Sequence, residues 1–174
     1  MPEAGERIAT LVGAVIAFVL QIVVAPNITL FFAQPNFLLV YVVVVALARA
    51  QSCGVVLPFV LGLLSDLVGG GPVGASALLF VIASFAVSRL YFALNNDTLF
   101  IPLFLVVVSV LLVEVFYGVL LIACGLAVNP LEALVYRALP CALYDCVFSL
   151  IMYPLAVRFL APRQPQQPGA PLMG

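Results

Sequence analysis

The sequence predicts an all-α polytopic membrane protein folded as a six-helix bundle, and three observations predict it. Of its 174 residues, 66% are hydrophobic and only 7% are charged, whereas soluble domains carry roughly 25% charged residues. A body of this size cannot hide so much apolar surface within itself. The apolar residues gather into six runs separated by polar and turn-forming residues. The arginines, finally, fall along the chain with the alternation expected of a multi-pass topology.

The first run, residues 8–25, is long enough to cross a bilayer at ~1.5 Å per residue. Its charged start at residues 1–7 imitates a secretion signal, but it reads as a retained first span. The runs at residues 37–48 and 53–68 are short. Either they extend, the second run over residues 31–50, or they end inside the protein rather than at lipid. Fusing them gives a rival five-helix count. Arg49, Gln51, Ser52 and Gly54 argue instead for a turn, and Pro58 adds a kink. Residues 73–94, 99–125 and 134–160 are each long enough to span, some with tilt.

With the N-terminus cytoplasmic and six crossings, Arg7, Arg49, Arg89, Arg158 and Arg163 fall at cytoplasmic ends, leaving Arg137 on the far side. Both termini are therefore expected inside. Residues 25–36 read as an external loop whose centre, Leu30, Phe31 and Phe32, lies in the interface or dips inward. Residues 1–160 form one transmembrane helical domain. The tail, residues 161–174, is rich in Pro, Gln and Gly and reads as disordered.

Composition also narrows the function. Six arginines against seven acids give a net charge of −1, so no nucleic-acid footprint is expected. Cys53, Cys124, Cys141 and Cys146 lie in or beside apolar runs and read as buried thiols. With no His and no C-x-x-C, neither a metal nor another cofactor is expected.

In lipid, small and polar residues carry the information about packing. Gly54, Pro58, Gly62 and Asp66 recur every four residues on the third helix. That stripe seats a neighbour closely and delivers Asp66 beside the turn Gly69-Gly70-Gly71. From there its carboxylate can accept from the free N–H groups of residues 73–76, where the fourth helix begins. Ion binding and simple surface exposure remain alternatives. The turn is no phosphate loop, because it lacks the Lys and the following Ser or Thr. On the last helix Arg137, Cys141, Asp145, Ser149 and Tyr153 share a face, and Glu114 sits near the middle of the fifth with Tyr117 and Gly118.

Two acids in mid-membrane require protonation with hydrogen bonding, or a wet cavity. They read as a polar packing network, with a proton or solute path as the rival. Paired carboxylates can run acid–base chemistry, but the chain offers no His, no Lys and no G-x-S-x-G to complete a site, so no enzyme is expected. Ser76, Ala77, Ala83, Ser84 and Ser88 on the fourth helix, and Gly13, Ala17 and Gln21 on the first, read as packing faces within the bundle.

Residues 62–78 carry Gly62, Asp66, Gly70, Gly74 and Leu78 in the register G-x-x-x-D-x-x-x-G-x-x-x-G-x-x-x-L. With the Gln34-Pro35-Asn36 entry to the second helix and the ending Tyr153-Pro154-Leu155 before Arg158, this resembles the rod shape-determining protein MreD family. There the family often carries Asn where this chain has Asp145. The resemblance implies a small inner-membrane subunit of the bacterial cell-elongation machinery. Its partners would be an MreC-like scaffold protein, the RodA glycosyltransferase, a class B penicillin-binding transpeptidase and the MreB filament, within membrane lipid. It also implies an architecture similar to the substrate-binding membrane subunits of energy-coupling-factor transporters. A non-enzymatic scaffold is the first expectation, and a small-solute-binding transporter subunit is the second.

Overall fold

A computed structural model describes residues 4–29, 34–49, 54–94, 100–125 and 139–160. Six α-helices appear among them: α1 (Ala4–Val23), α2 (Phe37–Ala48), α3 (Val56–Gly69), α4 (Ala75–Leu94), α5 (Phe100–Ala123) and α6 (Leu139–Leu160). No strand occurs among the described residues, and a 3-10 turn, Ala25–Ile28, follows α1. The alternation of helix directions defines two ends. The head end holds the starts of α2 and α4, and the foot end holds the starts of α1 and α3.

α2 is the axle of the bundle. Every residue from Phe37 to Val44 is buried, as are Ala46 and Leu47. It packs against all five other helices. A helix that is apolar all round requires such a site, and burial overrides the poor intrinsic helix propensity of its valines. Its 12 residues reach only about 18 Å at 1.5 Å per residue. Of the two readings open for this run, the structure selects the one in which the helix ends inside the protein.

Around this axle the inward faces of α1 and α4 are rich in small residues, joined on α4 by Leu79, Phe80 and Val87. On α1, Ala14 and Ala17 are buried while Val12, Val15, Ile16 and Val19 are exposed. On α4, Ser76, Ala77, Ala83, Ser84 and Ser88 are buried while Leu78, Ile82 and Phe85 are exposed. Both expected packing faces are therefore intramolecular. Small side chains bring backbones close without relying on apolar attraction, which lipid does not supply. Gly13 shows the tolerance: a Cβ there would stand 2.6 Å from the hydroxyl of Tyr41. That hydroxyl donates to the carbonyl of Thr10 at 2.6 Å, tying α2 to α1. Ser88 ties α4 to α2 by donating to the carbonyl of Ala46 at 3.1 Å.

Among the described residues, two helices meet the length and hydropathy of a membrane span outright. They are Ala75–Leu94, with mean hydropathy 2.0, and Ile101–Ala123, with 2.8. α1 over Arg7–Val23, α2 and α3 are shorter apolar helices.

Three sequence expectations need correction. Pro58 does not kink a helix; it is the third residue of α3, where its missing N–H would have had no intrahelical partner. Gly54 precedes α3 and is exposed, and a Cβ at this position would meet nothing within 4 Å, so the stripe begins at Pro58. Cys124 is exposed just beyond α5 rather than buried, although Cys141 is buried and Cys146 half-buried. Cys53, the loop centre Leu30, Phe31 and Phe32, Arg137 and residues 161–174 lie outside the described residues.

Candidate functional site: two capped helix starts and a polar chamber

The head end contains two helix N-termini buried in the bundle. The first four N–H groups of a helix have no intrahelical partner, and in an apolar surrounding each must find one. The sequence solves this twice, each time with an aspartate from another helix.

At the start of α4 the cap is Asp66, in the last turn of α3 and only 2% exposed. Its Oδ2 accepts from the N–H of Gly74 at 2.7 Å. The N–H of Ser76 is shared by Oδ1 at 3.0 Å and Oδ2 at 3.1 Å. A carboxylate in the last turn of its own helix is disfavoured by the dipole there, by about 0.3–1 kcal/mol. The charge-assisted bonds to the neighbouring N-terminus outweigh that, being roughly twice as strong as neutral ones. The surface-exposed alternative for Asp66 is thereby removed.

The glycines of this junction do separate jobs. A Cβ on Gly62 would lie 2.5 Å from the Cα of Ala77 and 2.7 Å from the carbonyl oxygen of Ser76; only a bare backbone fits. Gly70 adopts φ 65°, and its N–H donates to the backbone carbonyl of Asp66 at 3.1 Å, closing α3. Gly74 adopts φ 99°, which turns the chain into α4 at a cost an L side chain would feel. Gly71 accommodates the Tyr117 hydroxyl of α5, which a methyl group would overlap. Leu78, the last member of the register, points outward, 57% exposed.

At the start of α2 the cap is shared. Asn36 closes on its own helix, its Oδ1 accepting from the N–H of Leu39 at 3.1 Å. Gln21 from α1 accepts the N–H of Phe37 through Oε1 at 2.8 Å, and its amide donates to the carbonyl of Pro35 at 3.3 Å. Asp145 from α6 is wholly buried, and its Oδ1 accepts the N–H of Asn36 at 2.6 Å. Among the described residues its Oδ2 is buried without a hydrogen-bond partner. Asp145 is thus level with the first residues of α2, rather than isolated at mid-span. Ser149 donates to the backbone carbonyl of Asp145 at 2.5 Å. Phe148 meets Phe37 edge-on at 4.8 Å between ring centres, fixing the α2–α6 seam.

Between the two caps lies a chamber of about 310 Å³ lined by Gln21, Gln34, Asn36, Ser65, Glu114 and Tyr117, among others. Glu114 and Asp145 act on each other electrostatically, so the structure brings these two predicted acids together. Cys141 lines the same chamber. Pro154 lies within α6 on an exposed position away from this end. Arg137 cannot be placed here, being outside the described residues. No group of three His, Cys, Asp or Glu side chains able to hold a metal occurs among the described residues.

Sequence reasoning missed the role of Gln21 as a cap and the bond from Asn36 to Asp145. A helix start at Asn36 was legible, since Asn before an apolar run is a helix-start residue, but nothing local assigns Gln21 to it. The bond to Asp145 was not legible, because the partners are 109 residues apart.

Neither a curated protein nor a solved structure matches the chain. A family model described as rod shape-determining protein MreD matches residues 6–162, which include both caps and the chamber. The chain belongs to the MreD family of rod shape-determining proteins.

Proposed function

We propose that this protein is a multi-pass scaffold or regulatory subunit of the bacterial cell-elongation complex, lodged in the cytoplasmic membrane with both termini inside. It binds an MreC-like scaffold and cell-wall synthase partners, and so supports peptidoglycan synthesis and rod shape. The observation that carries this reading is the family match over residues 6–162. The fold supports it. A rigid head end pinned by Asp66 and Asp145, with an outer surface of large apolar side chains, suits a body that grips other membrane helices rather than one that turns over a substrate. The family is one of shape determination, not of catalysis.

The test is gentle detergent extraction followed by identification of the membrane proteins that co-purify. An MreC-like protein or a cell-wall synthase is the expected result. Recovery of an ATPase-linked transport module would overturn the reading. A small-solute-binding subunit is the second reading, and the chamber favours it: its ~310 Å³ exceeds the few waters of a closed bundle. Saturable ligand binding abolished by Glu114→Gln would promote that alternative.

A further inference from the structure

α3 is too short to cross a bilayer of ordinary thickness, yet it faces outward. Its 14 residues reach about 21 Å at 1.5 Å per residue, and tilt shortens that span further. The hydrocarbon core of a typical bilayer is ~30 Å thick. Unlike the short α2, which the bundle encloses, α3 exposes Val56, Phe59, Val60, Leu67 and Val68. Both its ends demand water. No side chain caps its start at Val55. At the other end the last carbonyls of a helix have no intrahelical partner, and Gly69 and Gly70 are exposed. The two outer neighbours that α3 touches, α1 and α4, agree with it. On α1 the exposed apolar side chains run from Ile8 to Val23, about 24 Å of helix. On α4 the exposed Arg89 arrives about 21 Å from the helix start at Ala75. α5 is different. Ile101–Ala123 is an apolar helix of 23 residues, about 35 Å long. Even at a tilt of ~40°, the upper end for such helices, it fills about 26 Å.

We infer that the protein thins the bilayer along the side formed by α1, α3 and α4, gathering phospholipids with short acyl chains there, while α5 keeps a bilayer of full thickness. The inference rests on the reading of the chain as a multi-pass membrane protein. A slab of one thickness cannot serve both α3 and α5: the first allows at most about 21 Å and the second requires at least about 26 Å. A short helix meets a thicker bilayer by thinning it, by snorkelling its flanking side chains or by associating with another helix. Snorkelling needs long polar side chains, whereas Gly54 and Val55 flank one end of α3 and Gly70, Gly71 and Pro72 the other. Association in lipid uses small residues that let backbones approach. The outward face of α3 carries branched and aromatic side chains instead, and its close-packing residue, Gly62, is turned to Ala77 of α4. Thinning remains.

The chain contains no tryptophan, so a single one reports its own surroundings. Phe59→Trp on α3 and Phe104→Trp on α5, both at exposed positions, are made separately in the full-length protein. Each variant is reconstituted in mixtures of a myristoleoyl and an eicosenoyl phosphatidylcholine. One lipid at a time carries brominated chains, which quench tryptophan on contact. The course of quenching with composition, rather than its extent, gives the relative affinity of the two lipids beside each position. Short chains should be preferred about threefold in Phe59→Trp, a modest ratio because mismatch energies are small per ångström. They should not be preferred in Phe104→Trp. Val60→Trp, exposed on the same face of α3, should repeat the α3 result and carries the test if Phe59→Trp does not fold. The same preference at both helices, a preference for long chains on α3, or no quenching on α3 by either lipid (the sign of a covering protein helix) would each overturn the inference and leave the protein in its membrane. Release of the protein from membranes by alkaline carbonate would instead refute the membrane reading beneath it.

Discussion

Asp66 and Asp145 perform the same task, each presenting a carboxylate to the buried start of a helix it does not belong to, yet their surroundings differ. Asp66 reaches across eight to ten residues of chain, and both its oxygens accept backbone N–H groups. Asp145 reaches across 109 residues, satisfies one oxygen, and leaves the other without a partner among the described residues, with Glu114 acting on it electrostatically. The first is a closed local joint, complete within one helical hairpin. The second is an open tertiary joint that acts on Glu114, a residue of the polar chamber's wall. Identical side chains can therefore be a fixed structural pin in one place and the adjustable member of a network in another; the count of satisfied lone pairs separates them.

The contrast breaks most severely at Gly62. Gly62→Leu should abolish the monodisperse folded protein, because its side chain would occupy the backbone of Ala77. Gly62→Ala should cost about 1–3 kcal/mol by overpacking, read as a lowered midpoint of thermal unfolding in detergent. Asp66→Ala comes next: two backbone donors lose their acceptor, at about 1–3 kcal/mol each. Isosteric amides give the sharpest test. Asp66→Asn should destabilise by about 1–3 kcal/mol, since its amide group would confront N–H donors. Asp145→Asn should stay within about 1 kcal/mol of the parent or exceed it, because its Nδ2 replaces an oxygen with no partner among the described residues and the change removes a charge that Glu114 repels. Equal losses in the two unfolding curves would show that the joints are equivalent after all. A modest loss is expected at Gly13→Ala, about 1 kcal/mol, from displacement of the Tyr41–Thr10 bond. Tyr41→Phe in the same chain should remove only part of the penalty, because two ring carbons would still stand 2.9 and 3.0 Å from the new Cβ.

Much of this architecture was legible in the sequence because it is local. The junction at residues 62–78 announces itself through glycine, an acid and a change of helix. The four-residue spacing of Gly62, Asp66, Gly70, Gly74 and Leu78 is, however, not a single helical stripe. It runs through a turn, and its members serve in order as a close approach, a cap, a helix stop, a turn into the next helix and an outward-facing apolar side chain. The inward faces of α1 and α4 were legible for the same reason, since small residues at helical spacing have few other uses in lipid. What was not legible depends on partners distant in the chain. Nothing in Asn36 or Asp145 individually states that they meet, and the uniform hydrophobicity of α2 hides whether it lies in lipid or in protein. The fate of Pro58 turned on a boundary: two residues decide whether proline bends a helix or begins one.

The shared cap on α2 also dictates an order of events while the chain is being made. Gln21 has already left the ribosome when Phe37 emerges, so half of the cap is waiting for the helix it serves. Asp145 is synthesised more than a hundred residues later. Until then the N–H of Asn36 and the seam later filled by Phe148 stand open. The axle of the bundle is seated early but locked last, and a nascent chain that stops short of α6 carries an unlatched centre.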